Sequence, residues 1–438
     1  MKKILAITAM AAFAAVSFAE GITFGAWLRA LAAPVANDGD ETITAAGNSW
    51  GYGARTARIN VSAVAPDGNA GFNMGVYNDV TMSLSAGDEA NLWVKPLDIV
   101  KVSYGKYDNN TLRGDVCYGS WNWLRPTSSW IAEDEGLLMS GNGSTGLMAE
   151  ITPMEELYIQ VLAPITTAQV KAGQTYKNLR AGFAYTVPGT VKIKGQYIGK
   201  GKASVDEFFT LDGEKISEAD MAAALADALA DTANDTDGDN VVSAAEAEAA
   251  LEAAGYGISP KEDGNSNCTL EAEVDVLAVE GLTAGVGFQY NVIKDGKDNS
   301  PDAVKTKIAL GGSYQVMPEL KVSASGAFFL YYGDKVDPRW QAGLGVDYDL
   351  GDGLALNADA RYLAKSGYDG EKADNSDHLA FSVGVTKSVS SNGYIGVAFQ
   401  GQTNSGNFAN TVITGKPNDD GEYKNFTWAI PVALSVWF

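Results

Sequence analysis

The chain has 438 residues, with 32 Lys and Arg against 54 Asp and Glu, a formal net charge of −22, and a 46% hydrophobic composition that includes 49 Gly. It contains no phosphate-binding glycine loop, no ligand set at zinc spacing and no basic nucleic-acid signature. Beyond the N-terminus no stretch supplies the roughly 18 consecutive apolar residues that a spanning helix needs. At the N-terminus, Lys2 and Lys3 precede an apolar run from Ile4 to Phe18, and Ser17-Phe18-Ala19 offers small residues for cleavage. Residues 1–19 therefore read as a secretory signal peptide, with no Cys after the cleavage site to take a lipid anchor.

From residue 20 onward, segments of about ten residues alternate between apolar and polar positions. Leu282, Ala284, Val286, Phe288 and Tyr290 interleave with Thr283, Gly285, Gly287 and Gln289. Leu354, Leu356, Ala358, Ala360 and Tyr362 interleave with Ala355, Asn357, Asp359 and Arg361. A period of two with one polar face is a half-buried strand, in a soluble sandwich or in a barrel. The connections decide between them, because they alternate between short and long. Short ones are Ala65-Pro-Asp-Gly68, Pro96-Leu-Asp98, Thr152-Pro-Met-Glu155, Val187-Pro-Gly189, Val279-Glu-Gly281, Val316-Met-Pro318, Gly351-Asp-Gly353 and Ser388-Val-Ser-Ser-Asn392, all turn chemistry. Long polar ones cover 32–54, 79–89, 108–143, 165–176, 200–267, 293–303, 332–338, 365–377 and 404–424. This predicts an all-β chain, an antiparallel up-and-down transmembrane barrel over 20–438 with both chain ends at the short turns. The predicted number is 18 strands, or 16 if the weakly patterned segments 69–79 and 89–96 do not form strands.

Strand parity turns the apolar positions toward lipid and their neighbours inward. The basic residues assigned inward are Arg29, Arg58, Lys101, Arg180, Lys192, Lys194, Lys305, Lys307, Lys321 and Arg361. The acidic ones are Glu150, Glu271, Glu273, Asp275, Asp347, Asp349 and Asp359, a mixture that predicts weak selectivity at most. The connection 108–143 is unusual, since Trp121, Trp123 and Trp130 are costly in water unless they pack, and the inner wall is the natural surface. Folded inward, its Arg113, Asp115, Arg125 and Asp134 join the pore lining and set the local field. Cys117 and Cys268 are an even pair on the long-connection side, and an oxidising compartment permits one disulfide between them.

Residues 201–266 break the strand pattern and carry 16 acidic and 3 basic residues, so most of the chain's negative charge sits in this insertion. Ser217 followed by Asp220 caps an Ala-rich helix, and a second Ala-rich helix ends near Gly255. Between the helices lies Asp235-Thr-Asp237-Gly-Asp239-Asn-Val241-Val-Ser243-Ala-Ala-Glu246. This resembles an EF-hand loop, which implies calcium held by Asp235, Asp237, Asp239, the Val241 carbonyl, Ser243 and Glu246. The departure is Asn240, where the family has Gly. It implies weakened binding, in the range of roughly 10⁻⁴ to 10⁻³ M.

The chain ends Trp428-Ala-Ile430-Pro-Val432-Ala-Leu434-Ser-Val436-Trp-Phe438, apolar at every second position with an aromatic last residue. This ending resembles the C-terminal strand by which bacterial outer-membrane β-barrels are recognised for assembly. With the alternation of turns, the chain resembles an outer-membrane porin. The resemblance implies passive diffusion of small hydrophilic solutes, contact with outer-membrane lipid in a Gram-negative type of envelope, frequent homotrimers, and an insert on the cell surface. The alternative is a barrel that anchors a calcium-stiffened adhesin or receptor binding an external ligand through 201–266. No enzyme is expected, since a Ser–His pair needs a His and only His378 is present, in no hydrolase motif.

Overall fold

The computed structural model describes residues 21–46, 57–78, 84–107, 112, 127–128, 137–139, 145–166, 172–202, 208–259, 264–293, 303–333, 337–364, 377–403, 408–409 and 426–438. The leader 1–19 lies outside them. The chain divides into two compact units, one of 1–199 with 268–438 and one of Lys200–Asn267.

The first unit is a closed antiparallel barrel of 18 strands. In chain order β1 is Ile22–Asn37, β2 Ala57–Val64, β3 Ala70–Asn78, β4 Leu84–Leu97, β5 Val100–Lys106 and β6 Thr145–Met154. Then come β7 Leu157–Ala163, β8 Arg180–Val187, β9 Val191–Gly199, β10 Cys268–Val276, β11 Leu282–Val292 and β12 Val304–Met317. The last six are β13 Leu320–Tyr331, β14 Arg339–Gly351, β15 Leu354–Leu363, β16 His378–Ser390, β17 Gly393–Thr403 and β18 Phe426–Trp437. Each strand pairs with its neighbours in sequence. The sheet closes where β18 pairs with β1, from Trp27 opposite Trp437 to Asn37 opposite Trp428. Ala26 and Phe438 exchange both backbone hydrogen bonds at the seam. Closure leaves no strand edge unpaired, which is the condition for a sheet to sit in hydrocarbon.

The outer face is a wall of exposed large apolar side chains at alternate positions, such as Val286 and Phe288 on β11, Ile308 and Leu310 on β12, and Leu344 and Val346 on β14. An aromatic group forms on this face at the long-connection end of β16 to β18. Phe381 stacks on Phe426 at 6.2 Å and Phe399 on Trp428 at 6.0 Å. Aromatic girdles of this kind suit the boundary between lipid and water. Among the described residues no helix is long and apolar enough to cross a membrane, so any crossing falls to the strands.

Several turns are tighter than the sequence suggests. Pro96 and Pro153 belong to β4 and β6, at register shifts between Val94 and Leu97 and between Ile151 and Met154. A bulge removes the demand for an N–H that Pro cannot meet, so the strand runs through it. The turn Gly351-Asp352-Gly353 has all three residues at positive φ, with Asp352 at 52°. At the other end, β1 extends into the predicted connection 32–54 and pairs back with Thr42–Ala46 across a bulge at Ala33 to Ala36. A short helix α1, Ala172–Lys177, lies between β7 and β8.

The unit Lys200–Asn267 holds helices α2, Glu218–Ala230, and α3, Ala244–Ala253, with a three-stranded sheet of Phe208–Leu211, Glu214–Lys215 and Tyr256–Ser259. Ser217 and Ser243 are the N-caps, each in a reciprocal capping box with the acid three residues on, Asp220 and Glu246. Ala228, Ala247 and Leu251 form its core, with Met221, Leu225, Val242 and Tyr256 packed around them.

Candidate functional site in the lumen and the acidic loop

The polar face of each strand points into the barrel, so the lumen is built from side chains that alternate with the apolar outer wall. Around β2 to β7 the charges are paired. Arg58 Nη2 lies 3.5 Å from Glu89 Oε2, with its guanidinium 5.6 Å from the Tyr77 ring. Lys101 Nζ lies 2.8 Å from Glu150 Oε2 and 5.7 Å from the Trp93 ring, and the Tyr158 hydroxyl donates to Glu150 Oε1 at 2.8 Å.

The densest cluster sits on β9 and β10. Lys194 is fully buried and its Nζ meets Glu273 Oε1 at 2.9 Å and Asp275 Oδ2 at 3.4 Å. Two carboxylates share one ammonium. Such a buried arrangement holds only because each charge has a partner. One step along, Gln196 and Gln289 both donate to Glu271, at 3.0 and 2.8 Å, while Arg180 opens the inward row of β8. Toward the short turns, Lys192 and Lys321 line a cavity of about 790 Å³ with Thr186, Asp275, Thr283, Ser313 and Gln315.

On the remaining wall, Lys307 Nζ lies 5.9 Å from the Phe329 ring and Lys305 Nζ 5.6 Å from the Tyr332 ring. Arg361 Nη1 pairs with Asp359 Oδ1 at 3.1 Å and donates to the Leu344 carbonyl at 2.8 Å. Asp347 lies half-buried on β14, opposite Lys321 of β13 in the register. The sequence reading did not include Glu89 or Arg339. Glu89 fell inside a segment read as a loop because β4 begins at Leu84. Arg339, which donates from Nε to the Ala364 carbonyl at 2.7 Å, is the first residue of β14 and begins its inward row with Gln341 and Gly343, so alternation alone could have placed it.

Of the connection between β5 and β6, Leu112, Thr127–Ser128 and Leu137–Met139 are described, whereas Arg113, Asp115, Arg125, Asp134, the three Trp and Cys117 lie outside the described residues. The described parts lie against the inner wall. Leu112 and Met139 pack on Ala184 of β8, and Leu137 and Leu138 on Ala309, Ala327 and Phe329 of β12 and β13. Thr127–Ser128 pairs with Phe408–Ala409 of the connection between β17 and β18. Cys268 opens β10 opposite Gly199 and Val292, so its bonding to Cys117 stays an expectation. His378 is buried at the start of β16.

In the insert, carboxylate oxygens of Asp235, Asp237 and Asp239 lie within 4.8 Å of one another. The loop is folded by its own backbone. Gly238 and Asn240 N–H both donate to the Asp235 carboxylate at 2.8 Å, and Val241 N–H donates to Asp239 at 2.8 Å. Asn240 takes φ 66°, the left-handed conformation that a tight loop requires and that Asn tolerates. Glu246 folds back over the loop, accepting from Thr236 N–H and hydroxyl at 2.7 Å and from Ser243 N–H and hydroxyl at 2.9 Å. These bonds, the Ser243 backbone first, hold its carboxyl down at about 2.

No family model matches the chain, and no curated protein matches its sequence. Solved structures similar to it include an anion-selective porin from Comamonas acidovorans, 13% identical over 95% of this chain and 99% of that one, with a TM-score of 0.47. Others are the outer-membrane protein OmpT of Vibrio cholerae, 12% identical over 95% and 97% with a TM-score of 0.41, and a mutant of the Rh. blastica porin, 12% identical over 95% and 100% with a TM-score of 0.40. The strand pairings, rather than these likenesses, carry the fold.

Proposed function

We propose that the chain is an outer-membrane porin, a passive channel for small hydrophilic solutes that performs no bond chemistry. The observation that carries this reading is the contrast between the two faces of a closed barrel. Charged and hydrogen-bonding groups line the inside, and an unbroken apolar wall covers the outside. A barrel of this strand number is wide enough to enclose water. Both signs of charge occur around the lumen, mostly as neighbouring pairs, which supports weak selectivity at most. Outer-membrane lipid is the partner that the outer face fits, and a homotrimer is the assembly that the resemblance to porins suggests.

The reading extends to a calcium loop in the insert, facing the cell exterior. Asp235, Asp237, Asp239, the Val241 carbonyl, Ser243 and Glu246 would hold the ion. Hard oxygen donors at this spacing suit calcium, and the convergence of three carboxylates on a loop already turned at Asn240 supports the fit. A bound calcium ion would offset half of the charge of the loop's four carboxylates and join the ends of α2 and α3. Glu246 would then exchange donors from its own loop for the cation.

The test is single-channel conductance of the refolded chain in planar bilayers, in potassium chloride with millimolar calcium and then excess chelator. Stable stepwise openings are expected. Folded, heat-modifiable protein that passes no current would overturn the porin reading and leave a barrel-anchored surface receptor as the better account.

A further inference from the structure

The cavity near the short turns lies in the inner wall from β8 to β13, and the strand register orders its polar groups. Its volume of about 790 Å³ falls in the range of pockets that hold small molecules. Thr186 of β8, Lys192 of β9 and Asp275 of β10 stand on one rung. Thr283 of β11 faces Ser313 of β12, and Gln315 of β12 faces Lys321 of β13. A lysine thus closes each side, and hydroxyl groups and one amide fill the interval between them.

Charge and hydrogen bonding describe the solute that fits. Among the described residues the lining carries two ammonium groups and one carboxylate, and that carboxylate, Asp275, also lies 3.4 Å from Lys194 Nζ. The balance favours an anion. Gln315 is fixed in place, since its backbone N–H donates to the Gly281 carbonyl at 2.9 Å and its Nε2 to the Met317 and Pro318 carbonyls at 2.8 and 3.2 Å. Its side-chain oxygen remains an acceptor, and the Thr and Ser hydroxyls can both donate and accept. The strands β9 and β13 stand four spacings apart, about 19 Å along the wall, and each lysine side chain shortens that interval from its own end. A short carbon chain with a carboxylate at both ends bridges what is left, and hydroxyls along it meet the row between.

We propose that this cavity is a binding site for a hydroxylated dicarboxylate, a sugar diacid in chemical class. Lys192 and Lys321 hold the two carboxylates by charge-assisted hydrogen bonds, and Thr186, Thr283, Ser313 and Gln315 pair with the hydroxyls between them. The inference goes beyond the porin reading and needs only the folded barrel, so binding is measured without any current.

The test is titration calorimetry of the refolded whole chain in detergent and calcium-free buffer, each variant first shown to be heat-modifiable. Three probes share a six-carbon chain: D-glucarate has both carboxylates and hydroxyls, adipate only the carboxylates, and D-glucitol only hydroxyls. Glucarate is expected to bind saturably, about tenfold or more tighter than either of the others. K192Q and K321Q should each weaken it about tenfold, and T283V/S313A should remove its advantage over adipate. K95Q, which removes a lysine at the same end of the barrel but outside the cavity, should leave it unchanged. No saturable heat with glucarate overturns the site, and so does adipate binding as tightly as glucarate. Equal weakening by K95Q, K192Q and K321Q would assign the binding to diffuse charge and overturn it as well. A chain that binds glucarate but passes no current refutes the porin reading and leaves the site standing, whereas one that conducts without binding does the reverse.

Discussion

Single residues shape the acidic loop, and the convergence of Asp235, Asp237 and Asp239 was visible in the sequence because their spacing is local. Ser243 and Glu246 also stand at capping-box spacing, and Glu246 caps α3; its clasp on Thr236 is what spacing could not show. Its carboxyl lies at about 2 against an ordinary 4.5, so the fold favours the ionised form. That contribution is complete above about 4.5 and is lost as pH falls through about 2. Side-chain carboxyl NMR of the labelled chain should place the Glu246 titration there, and the pH dependence of protection in the first turn of α3 should vanish in E246Q. At Asn240, a β-branched residue would be forced into the left-handed region at a cost of about 1–2 kcal/mol. Titration calorimetry on the whole chain should therefore find calcium binding about tenfold weaker in N240V, with N240G within a few-fold of the unmodified loop. The room left at Gly287, and in part at Gly182, was illegible, because a Cβ there would meet Leu137 or Leu112 far along the chain, although at Gly182 the Gly195 carbonyl of the next strand also lies within 2.7 Å. Leu112 is 70 residues before Gly182, and Leu137 precedes Gly287 by 150.

Elements follow rules of short range, and these were the most legible part of the molecule. Alternation gives strands, and proline, glycine and asparagine give the turns between them. The misplacements have two causes. Strand β4 runs past the apolar belt into the polar stretch Ser85–Glu89, where the ladder of backbone hydrogen bonds continues but the hydrophobic signal stops, whereas β1 continues through apolar Ala32–Ala36 across a bulge at Pro34. Pro96 and Pro153 were read as turn residues and are bulge residues, since a proline signals a missing donor but not which irregularity absorbs it. The six-residue α1 is too short to show a helical period. In the insert, the Ser217–Asp220 box was readable from residue types alone. Replacing Ser217 by Ala should cost about 1 kcal/mol of α2 stability, read as faster amide exchange in the first turn of that helix. Exchange in the barrel strands should not change.

At the scale of the whole molecule, counting turns was enough to reach 18 strands, because antiparallel neighbours in sequence are neighbours in space. The packing of the β5–β6 connection against β8, β12 and β13 was legible only as a tendency, from apolar residues that had no other cover. The insert forms a compact unit with its own core, and most of the chain's negative charge belongs to it. A chain in which 201–266 is replaced by a short Gly-Ser linker should therefore refold as a heat-modifiable barrel with its conductance step intact. A lost or altered step would show that the insert takes part in permeation. Since β1 finds its second partner in β18, the molecule also has a constraint in time. β1 keeps a bare edge until β18 has been made, so the sheet cannot close on itself before then. Until then that edge is open to pairing with whatever strand it meets first, since an unpaired hydrophobic edge in water is a template for association.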